Sequence, residues 1–254
     1  MSHPIPIALI TGGSRGLGRS MALHLAAKGS DVILTYRSNR TEADSVVAQI
    51  RDLDRRAVAL QLDVGECGRF DGFAQAVRDV LAREFERTGF DHLVNNAGIG
   101  VHASIEQTTE AQFDQLVNVH FKGVFFLTQK LLPLIADGGR IVNISSGLAR
   151  FSLPGYAAYA SMKGAIEVLS RYMAKELGPR GIAVNVVAPG AIETDFGGGT
   201  VRDNAQVNAF VAAQTALGRA GLPDDIGGAV AALLAPENRW INAQRIEVSG
   251  GMFV

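Results

Sequence analysis

Two side chains that can share a proton stand one helical turn apart in the second half of the sequence. Tyr159 and Lys163 are four positions apart, in a stretch whose apolar pattern predicts a helix over residues 156–177. Residues at i and i+4 share a helix face, with Cβ atoms about 5–6 Å apart. A lysine ammonium at about 5 Å stabilises a phenolate by roughly 3 kcal/mol at an effective dielectric of about 20, which lowers the phenol pKa toward neutrality. The pair therefore predicts a tyrosine that exchanges protons near neutral pH.

A serine follows a predicted strand, thirteen positions before this tyrosine. Ser146 lies in the run ISSG at residues 144–147, where the strand predicted over residues 140–145 ends. At the carboxyl end of a parallel strand, a hydroxyl faces the crevice in which ligands bind. Ser146 is therefore expected to hydrogen-bond a substrate carbonyl.

A glycine-rich turn near the start of the chain has the composition of a phosphate-binding loop. Between a predicted strand and a predicted helix stand Thr11, Gly12, Gly13, Ser14, Arg15, Gly16, Leu17 and Gly18. Glycines let the backbone approach a pyrophosphate, and free N–H groups at the helix N-terminus face the anion. The spacing G-x-x-x-G-x-G differs from the G-x-G-x-x-G fingerprint of larger dehydrogenases. A tight turn without a ligand is the alternative interpretation.

The same turn also fits the G-x-S-x-G nucleophile elbow of α/β-hydrolases, with Ser14 as the nucleophile. A hydrolase triad in this chain order needs a histidine late in the sequence. His120 is the last of the five histidines, and none of residues 121–254 is histidine. An elbow on the first strand also has no earlier strand loop to supply an oxyanion N–H. The sequence therefore favours dinucleotide binding.

The end of the second predicted strand indicates which dinucleotide is preferred. Folds that prefer NAD carry an acid about 20 residues past the glycines, where it binds the ribose 2′-hydroxyl. Tyr36 and Arg37 stand there, and Arg40 follows. Arg37 and Arg15 can hold a 2′-phosphate with charge-assisted hydrogen bonds. We therefore expect NADP as the cofactor, with a solvated basic rim as the alternative.

An acid closes the third predicted strand. Asp63 and Val64 stand at its end, where a carboxylate can accept a hydrogen bond from the adenine amino group. A turn-forming aspartate explains the residue equally well.

These residues are positioned by alternating strand and helix patterns. The β-branched runs predict seven strands, at residues 5–10, 31–36, 57–64, 92–96, 140–145, 183–188 and 245–248. Helical patterns fall at residues 16–28, 41–53, 66–87, 109–135, 156–177 and 224–234. The alternation predicts an α/β fold, a single Rossmann-type doubly wound parallel sheet with helices on both faces. One domain over residues 1–254 is expected, with a mobile substrate lid at 191–213, where three consecutive glycines interrupt the periodicity.

The composition argues against several classes of function. With 24 Lys+Arg and 25 Asp+Glu, the net charge of -1 offers no field to attract nucleic acid or an anionic membrane. The single cysteine, Cys67, forms no internal disulfide, which suits a cytoplasmic protein. The longest uncharged stretch, 204–218, is too short to span a membrane, and no signal-peptide pattern is visible. His92, His102 and His120 lack metal-ligand spacing, so we expect satisfied polar groups and no metal.

Taken in order, these motifs resemble the compact form of the short-chain dehydrogenase/reductase family. The resemblance runs from Thr11 to Gly251. It rests on Thr11-Gly-x-x-x-Gly16-x-Gly18, Asp63, Asn95-Asn96-Ala97-Gly98, Asn118, Ser146, Tyr159-x-x-x-Lys163 and Pro189-Gly190. The family implies hydride transfer between NADPH and a carbonyl or secondary alcohol. An NAD-linked alcohol dehydrogenase and a dinucleotide-binding sensor without turnover are the alternatives.

The resemblance also implies a role for each motif. Tyr159 is the general acid/base, Lys163 lowers its pKa and binds the nicotinamide ribose, and Ser146 orients the carbonyl. Asn118 supports a proton-relay water. The implied cofactor site comprises Gly12, Ser14, Arg15, Gly16, Leu17, Gly18, Tyr36, Arg37, Asp63, Val64, Asn95, Ala97, Gly98, Tyr159, Lys163, Pro189, Gly190, Ile192 and Thr194.

Within the family, the chain looks closest to the 3-oxoacyl carrier-protein reductases. Arg180 matches a basic position that those enzymes use to dock the carrier, but Asp137 stands where they place a second base. A carrier-bound substrate is therefore in doubt, and a small-molecule carbonyl is equally open. The family also implies a dimer or tetramer formed through two helices. Phe113, Phe121, Phe125 and Phe126 lie on one of these, the helix predicted over 109–135.

Overall fold

Seven parallel strands form the central sheet of the structure, a computed structural model that describes residues 5–254. The strands are β1 (Ile7–Ile10), β2 (Asp31–Tyr36), β3 (Ala57–Gln61), β4 (Phe90–Asn95), β5 (Ile135–Ile144), β6 (Ala183–Pro189) and β7 (Arg245–Val248). Their order across the sheet is β3-β2-β1-β4-β5-β6-β7, and every neighbouring pair is parallel. The predicted doubly wound sheet is confirmed.

Helices cover both faces of the sheet. They are α1 (Gly16–Ala27), α2 (Arg40–Arg51), α3 (Phe70–Phe85), α4 (Glu110–Val117), α5 (Gly123–Leu131), α6 (Ala157–Leu177), α7 (Thr200–Asp203), α8 (Ala205–Ala213) and α9 (Pro223–Leu233). Alternate residues of a strand point to opposite faces. In β1, Ala8 and Ile10 pack with α1, α2 and α9, whereas Ile7 and Leu9 pack with α3, α5 and α6. Burial on both faces explains the continuous apolar runs of the strands.

The helix predicted over residues 109–135 is wrong in its continuity and its end. A π-helical segment, Asn118–Lys122, separates α4 from α5, and α5 ends at Leu131 in a 3-10 turn that contains Pro133. Proline lacks the N–H that a helix interior requires, which ends the helix. Residues from Ile135 onward then join β5, five positions earlier than its predicted start at residue 140.

The segment 191–213 contains more regular structure than its weak periodicity predicts. A 3-10 turn at Phe196–Gly199 leads into α7 and α8. Gly197, Gly198 and Gly199 all have positive φ, between 62° and 78°, which is a backbone region that favours glycine. The mobility of this lid segment stays a prediction.

The strand order places a ligand crevice at a defined edge of the sheet. The chain leaves β1 toward β2 and later returns to β4 on the other side of β1. Ligands bind outside the carboxyl ends of the strands at such a switch point. Within residues 5–254, no helix has the length and apolar character that crossing a membrane requires.

Candidate active site

A cavity of about 680 Å³ opens at the carboxyl ends of the strands. It brings together most of the residues that the sequence singles out. These are Gly12, Ser14, Arg15, Gly16, Leu17, Gly18, Tyr36, Arg37, Asp63, Val64, Ala97, Gly98, Ser146, Tyr159, Lys163, Pro189, Gly190, Ile192 and Thr194. Asn95 and Asn118 are not on its wall. Residues more than 180 positions apart in sequence therefore share one site.

Asn95 lies in the sheet, below the cavity floor. Its Nδ2 donates to Asn143 Oδ1 at 2.8 Å and to Thr128 Oγ1 at 3.1 Å, so it ties β4 to β5 and α5. Asn96, the next residue, reaches the cavity and donates from Nδ2 to the carbonyl oxygens of Thr11 and Gly12, at 2.9 and 3.1 Å. Of this asparagine pair, Asn96 shapes the floor beneath a cofactor.

Asn118 begins the π-helical segment. Its carbonyl oxygen accepts the backbone N–H of Gly123, while the next two residues, Val119 and His120, reach the cavity. A π-bulge in a helix often occurs at a functional site, because the extra residue re-aims the side chains around it. The proton-relay role of Asn118 stays a prediction.

The glycine turn fits a dinucleotide pyrophosphate. Gly12 has φ +66°, and a Cβ on Gly18 would lie only 2.1 Å from the Gly12 carbonyl oxygen. Over the residues that the structure describes, no side chain caps the N-terminus of α1, and its first turn carries no acid. Free N–H groups and the helix dipole at such an end favour an anion. The turn is therefore built for close approach of a phosphate group.

The adenosine end of the cavity is basic at its rim. Arg15 and Arg37 both line it, and Arg15 is 65% exposed, with Nη1 4.0 Å from Asp195 Oδ2. Ser38, Asn39 and Glu42 line the same end, although the sequence argument passed over them. Both expected basic residues therefore line the cavity, and their contact with a 2′-phosphate stays a prediction.

Asp63 combines the two roles left open by the sequence. It lines the cavity, and its Oδ1 accepts the backbone N–H of Gly65 at 2.8 Å, which forms a turn after β3. Its second oxygen, Oδ2, has no hydrogen bond to another residue of the described chain. The turn-forming role of Asp63 is therefore present, and its contact with an adenine stays a prediction.

Tyr159 and Lys163 lie together on the inward face of α6. Tyr159 is 7% exposed, the Ser146 side chain lies near its hydroxyl, and Lys163 Nζ lies 5.6 Å from the phenol ring centroid. Lys163 Nζ donates to the Ile144 carbonyl oxygen at 2.8 Å, at the end of β5. Ser146, Tyr159 and Lys163 therefore lie close together, as the sequence predicts.

The pKa of Tyr159 differs from the sequence prediction. Burial raises this pKa above its ordinary value, against a smaller lowering by the nearby Ser146 hydroxyl. Burial also lowers the pKa of Lys163 to about 7. The prediction from sequence included the charge of Lys163 but not the desolvation of Tyr159 and Lys163. Desolvation disfavours both the phenolate and the ammonium. The phenol is therefore a proton donor in this state.

His120 is a cavity residue that the sequence argument assigned to the ordinary satisfied polar groups. Its ring stands perpendicular to that of Tyr159, with centroids 5.2 Å apart. Nε2 lies 2.8 Å from the Ile99 carbonyl oxygen, but Nδ1 is buried without a partner in the described residues, as is Nδ1 of His92. Burial lowers the pKa of His120 to about 3, so a neutral ring packs against the tyrosine.

The far half of the cavity is apolar. Its walls are Leu148, Phe151, Leu153, Tyr156, Phe196, Val201, Val207, Phe210, Val211 and Met252. The charged side chains of the cavity are Arg15, Arg37, Glu42, Asp63, Lys163 and Asp195. Of these, Lys163 lies beside Tyr159, and the Asp195 carboxylate lies 4.0 Å from the Arg15 guanidinium. The far half suits an uncharged substrate, and aromatic rings there can stack on a flat one.

Arg180 is engaged inside the chain. Its Nε donates to Asp137 Oδ1 at 2.7 Å, and its other nitrogens donate to the carbonyl oxygens of Leu132 and Ile135. The acid that replaces the family's second base therefore neutralises the first one. This pairing weakens the case for an acidic carrier as partner.

The chain resembles known reductases over almost its full length. Residues 12–253 match the family described as enoyl-(acyl carrier protein) reductase. An uncharacterized oxidoreductase of Methylorubrum extorquens is 37% identical, over 97% of each chain. The reductase LugOII, described as catalysing keto-reduction at C1 during lugdunomycin biosynthesis, has 38% identity and a TM-score of 0.93, over 99% of each chain. The angucycline C-6 ketoreductase LanV, solved with bound NADP, has 32% identity and a TM-score of 0.93, again over 99% of each chain.

These matches agree with the geometry of the site. The glycine turn, Ser146, Tyr159 and Lys163 line one cavity at the switch point of the sheet. Family, fold and site therefore point to one conclusion: the protein belongs to the short-chain dehydrogenase/reductase family.

Proposed function

We propose that the protein is an NADPH-dependent carbonyl reductase that uses Tyr159 as its general acid. The observation that carries the proposal is the cavity, in which Tyr159 and Ser146 line the same space as the glycine turn. The solved neighbours LugOII and LanV, named as ketoreductases, support the same chemistry. A binding module without turnover has no need of a buried phenol beside a lysine.

Each side chain of the site has a separate role in the reduction. NADPH supplies the hydride for the carbonyl carbon. Ser146 orients the carbonyl oxygen, and Tyr159 donates the proton that this oxygen takes up. Lys163 would donate hydrogen bonds to the ribose of the bound cofactor, and its ammonium form would place a positive charge beside the phenol. The apolar walls exclude water from the reacting carbonyl. In the oxidative direction the same phenol oxygen accepts the proton.

We propose an uncharged, mainly aromatic ketone or quinone as the substrate. Apolar and aromatic side chains build the far half of the cavity, and Arg180, the residue expected to dock a carrier, is paired with Asp137. Loss of NADPH absorbance over a panel of aryl ketones, quinones, ketosugars and 3-oxoacyl thioesters tests this. Turnover confined to the thioesters would contradict it.

The two arginines at the cavity rim predict a preference for NADPH over NADH. Replacing both Arg15 and Arg37 with alanine removes charge-assisted hydrogen bonds to the 2′-phosphate, each worth roughly 1.5–3 kcal/mol. NADPH affinity is therefore expected to fall by about tenfold to hundredfold per arginine, with little change for NADH. Fluorescence titration of both nucleotides measures this.

Arg40 provides the matched control for the rim arginines. It lies nearby on α2, pairs with Asp44 at 3.3 Å and is absent from the cavity wall. Arg40→Ala should keep the NADPH preference. Equal affinities of the wild-type protein for NADH and NADPH would contradict the assignment and favour an NAD-linked dehydrogenase.

Lys163 gives NADPH binding a pH dependence. Without cofactor, burial lowers its pKa to about 7, while its neighbours His120 and Tyr159 stay neutral near that pH. An anionic dinucleotide whose ribose accepts hydrogen bonds from the ammonium favours the charged form, so the pKa of Lys163 rises on binding. A ligand that prefers the protonated form binds with proton uptake, and its affinity falls as pH rises above about 7.

Calorimetry in buffers of different ionisation enthalpy measures this uptake. At about pH 8 the wild-type protein is expected to take up close to one proton more than Lys163→Met does on NADPH binding. Equal proton uptake by the two proteins would show that Lys163 is not the titrating group.

We further propose that the protein is a cytoplasmic homo-oligomer. Phe113, Phe125 and Phe126 on α4 and α5 are 38–42% exposed, which is a large apolar surface for helices at the edge of a fold. A single cysteine suits a reducing compartment. Sedimentation as a monomer at micromolar concentration would contradict the oligomer.

A further inference from the structure

Arg150 holds the last residues of the described chain against the loop that follows the catalytic serine. Its Nε and Nη2 each donate to a carboxylate oxygen of Glu247, both at 2.7 Å. Nη2 also donates to the Met252 carbonyl oxygen at 2.7 Å, and Nη1 donates to that of Phe253 at 3.1 Å. One guanidinium therefore binds a strand residue and two backbone groups of the final segment.

Glu247 is a fixed anchor for this guanidinium. It lies in β7, and its carboxylate also accepts Arg245 Nη1 and Ser249 Oγ, each at 2.9 Å. The hydrogen bond from Arg150 is the largest cause that lowers the pKa of Glu247 to about 2, so the carboxylate stays charged at neutral pH. Several donors on a partly buried carboxylate hold its geometry more firmly than an isolated surface pair.

The final segment, residues 249–253, contacts the residues that directly follow the lid segment. The backbone N–H groups of Ala216 and Leu217 donate to the carbonyl oxygens of Gly251 and Gly250. Phe253 N–H donates to the Gln214 carbonyl oxygen at 2.9 Å. The residues that follow α8 are therefore attached to the segment that Arg150 holds.

Two side chains of this assembly line the apolar half of the cavity. Met252 is 2% exposed, lines the cavity and packs in one cluster with Phe151 and with Val207 and Val211 of α8. The rings of Phe151 and Phe253 are in contact, with centroids 4.7 Å apart. The Arg150 guanidinium lies over the Phe151 ring, 5.4 Å from its centroid. We define the far wall as Phe151 and Met252.

We infer that Arg150 is a positioning residue that fixes this far wall and thereby sets the size of ketone that the site accepts. The inference rests on the proposed carbonyl reductase function. Arg150 is absent from the cavity wall itself, so it acts through Met252 and Phe151. Ketones that reach the wall gain contact energy from it, and ketones that occupy only the space beside Tyr159 and Ser146 do not.

Arg150→Gln is the direct test. The variant keeps a polar side chain but removes the bidentate bond and the donors to the Met252 and Phe253 carbonyls. We expect KM to rise about tenfold for benzil, which is long enough to reach the wall, a change that equals about 1.4 kcal/mol. For diacetyl, KM is expected to stay within about twofold, as are kcat for both ketones and the affinity for NADPH. A general structural defect would instead change all of these quantities together.

Met252→Ala is a second variant with the same expected sign. Removing the side chain removes the contact that benzil gains from the far wall, so the ratio of kcat/KM for benzil to that for diacetyl is expected to fall about tenfold. Arg83→Gln is the matched control, because Arg83 is an exposed arginine of α3 that also pairs with a glutamate, Glu84, at 2.8 Å. It should behave as the wild type.

The outcomes separate this inference from the function on which it rests. Equal changes in KM for benzil and diacetyl, or no change for either, would overturn the role of Arg150. If the wild-type protein reduces neither ketone with NADPH, the proposed function fails. Benzil affinity, measured by fluorescence quenching with NADP bound, then decides the role of the wall: a loss of about tenfold in Arg150→Gln supports it, and unchanged affinity overturns it.

Discussion

Tyr159→Phe is expected to lower kcat by about a hundredfold to ten-thousandfold, the usual contribution of a positioned general acid. The phenol oxygen is the proposed proton donor, and it lies near Ser146 in the cavity. Phenylalanine keeps the ring that packs against His120 and Phe196, so the fold and the shape of the pocket are preserved. NADPH affinity should change by less than about fivefold, because one hydroxyl is lost and the glycine turn is untouched.

The experiment is steady-state NADPH oxidation with an aryl ketone, together with NADPH titration of the same preparation. Tyr172→Phe is the matched control, because Tyr172 lies on the same helix, α6, but is 65% exposed. It should retain wild-type turnover. Full turnover by Tyr159→Phe would show that another group supplies the proton.

Gly18→Ala is expected to abolish measurable NADPH binding, a loss of at least about a hundredfold, and to lower the melting temperature. The added Cβ would lie 2.1 Å from the Gly12 carbonyl oxygen and 2.6 Å from Asn96 Nδ2. Backbone of the turn must move to relieve the first contact, which disturbs the N–H groups of α1 at the place where a phosphate approaches. Overpacking of this kind typically costs about 1–3 kcal/mol of stability.

Gly72→Ala is the control for the glycine substitution. Gly72 lies in α3, and a Cβ there has no neighbour within 4 Å. Alanine favours helix by about 1 kcal/mol over glycine, so this variant is expected to be slightly more stable and to bind NADPH normally. Thermal unfolding and NADPH titration of both variants measure the two effects. Normal NADPH affinity in Gly18→Ala would show that the turn does not hold the pyrophosphate.

The fold could be predicted from the sequence because every strand is buried on both faces or ends at a turn with its own signature. Runs such as residues 31–36, buried throughout, carry the pattern of a parallel strand without ambiguity. The break between α4 and α5 could not be predicted in this way. The π-helical segment at Asn118–Lys122 contains neither glycine nor proline, so no residue type in it marks the change from the α-helix.

The site could be predicted where chemistry and spacing coincide within a few residues. The glycine turn and the pair of Tyr159 and Lys163 are of this kind. Side-chain direction at a strand end is less certain, as Asn95 in the sheet and Asn96 in the cavity demonstrate. The pKa values of Tyr159 and Lys163 depend on burial, which only the packed structure supplies.

The contacts of Arg150 that fix the far wall could not be predicted from the sequence, because the residues that they join are distant in the chain. Phe151 and Met252 are about 100 positions apart and meet through Arg150 and Glu247. No local period or motif marks such a meeting. In the sequence, Arg150 is one charged residue in a loop, and nothing beside it predicts its four hydrogen bonds.

Transfer of deuterium from labelled NADPH to the product alcohol is the most direct test of carbonyl reduction by this protein. The protein is incubated with NADPH labelled with deuterium at each face of nicotinamide C4 in turn, together with an aryl ketone, and the alcohol is analysed by mass spectrometry. The account predicts deuterium on the carbinol carbon from one of the two labelled cofactors, with transfer abolished in Tyr159→Phe. Tight binding of NADPH without label in any alcohol would contradict the account and identify the chain as a dinucleotide-binding protein without turnover.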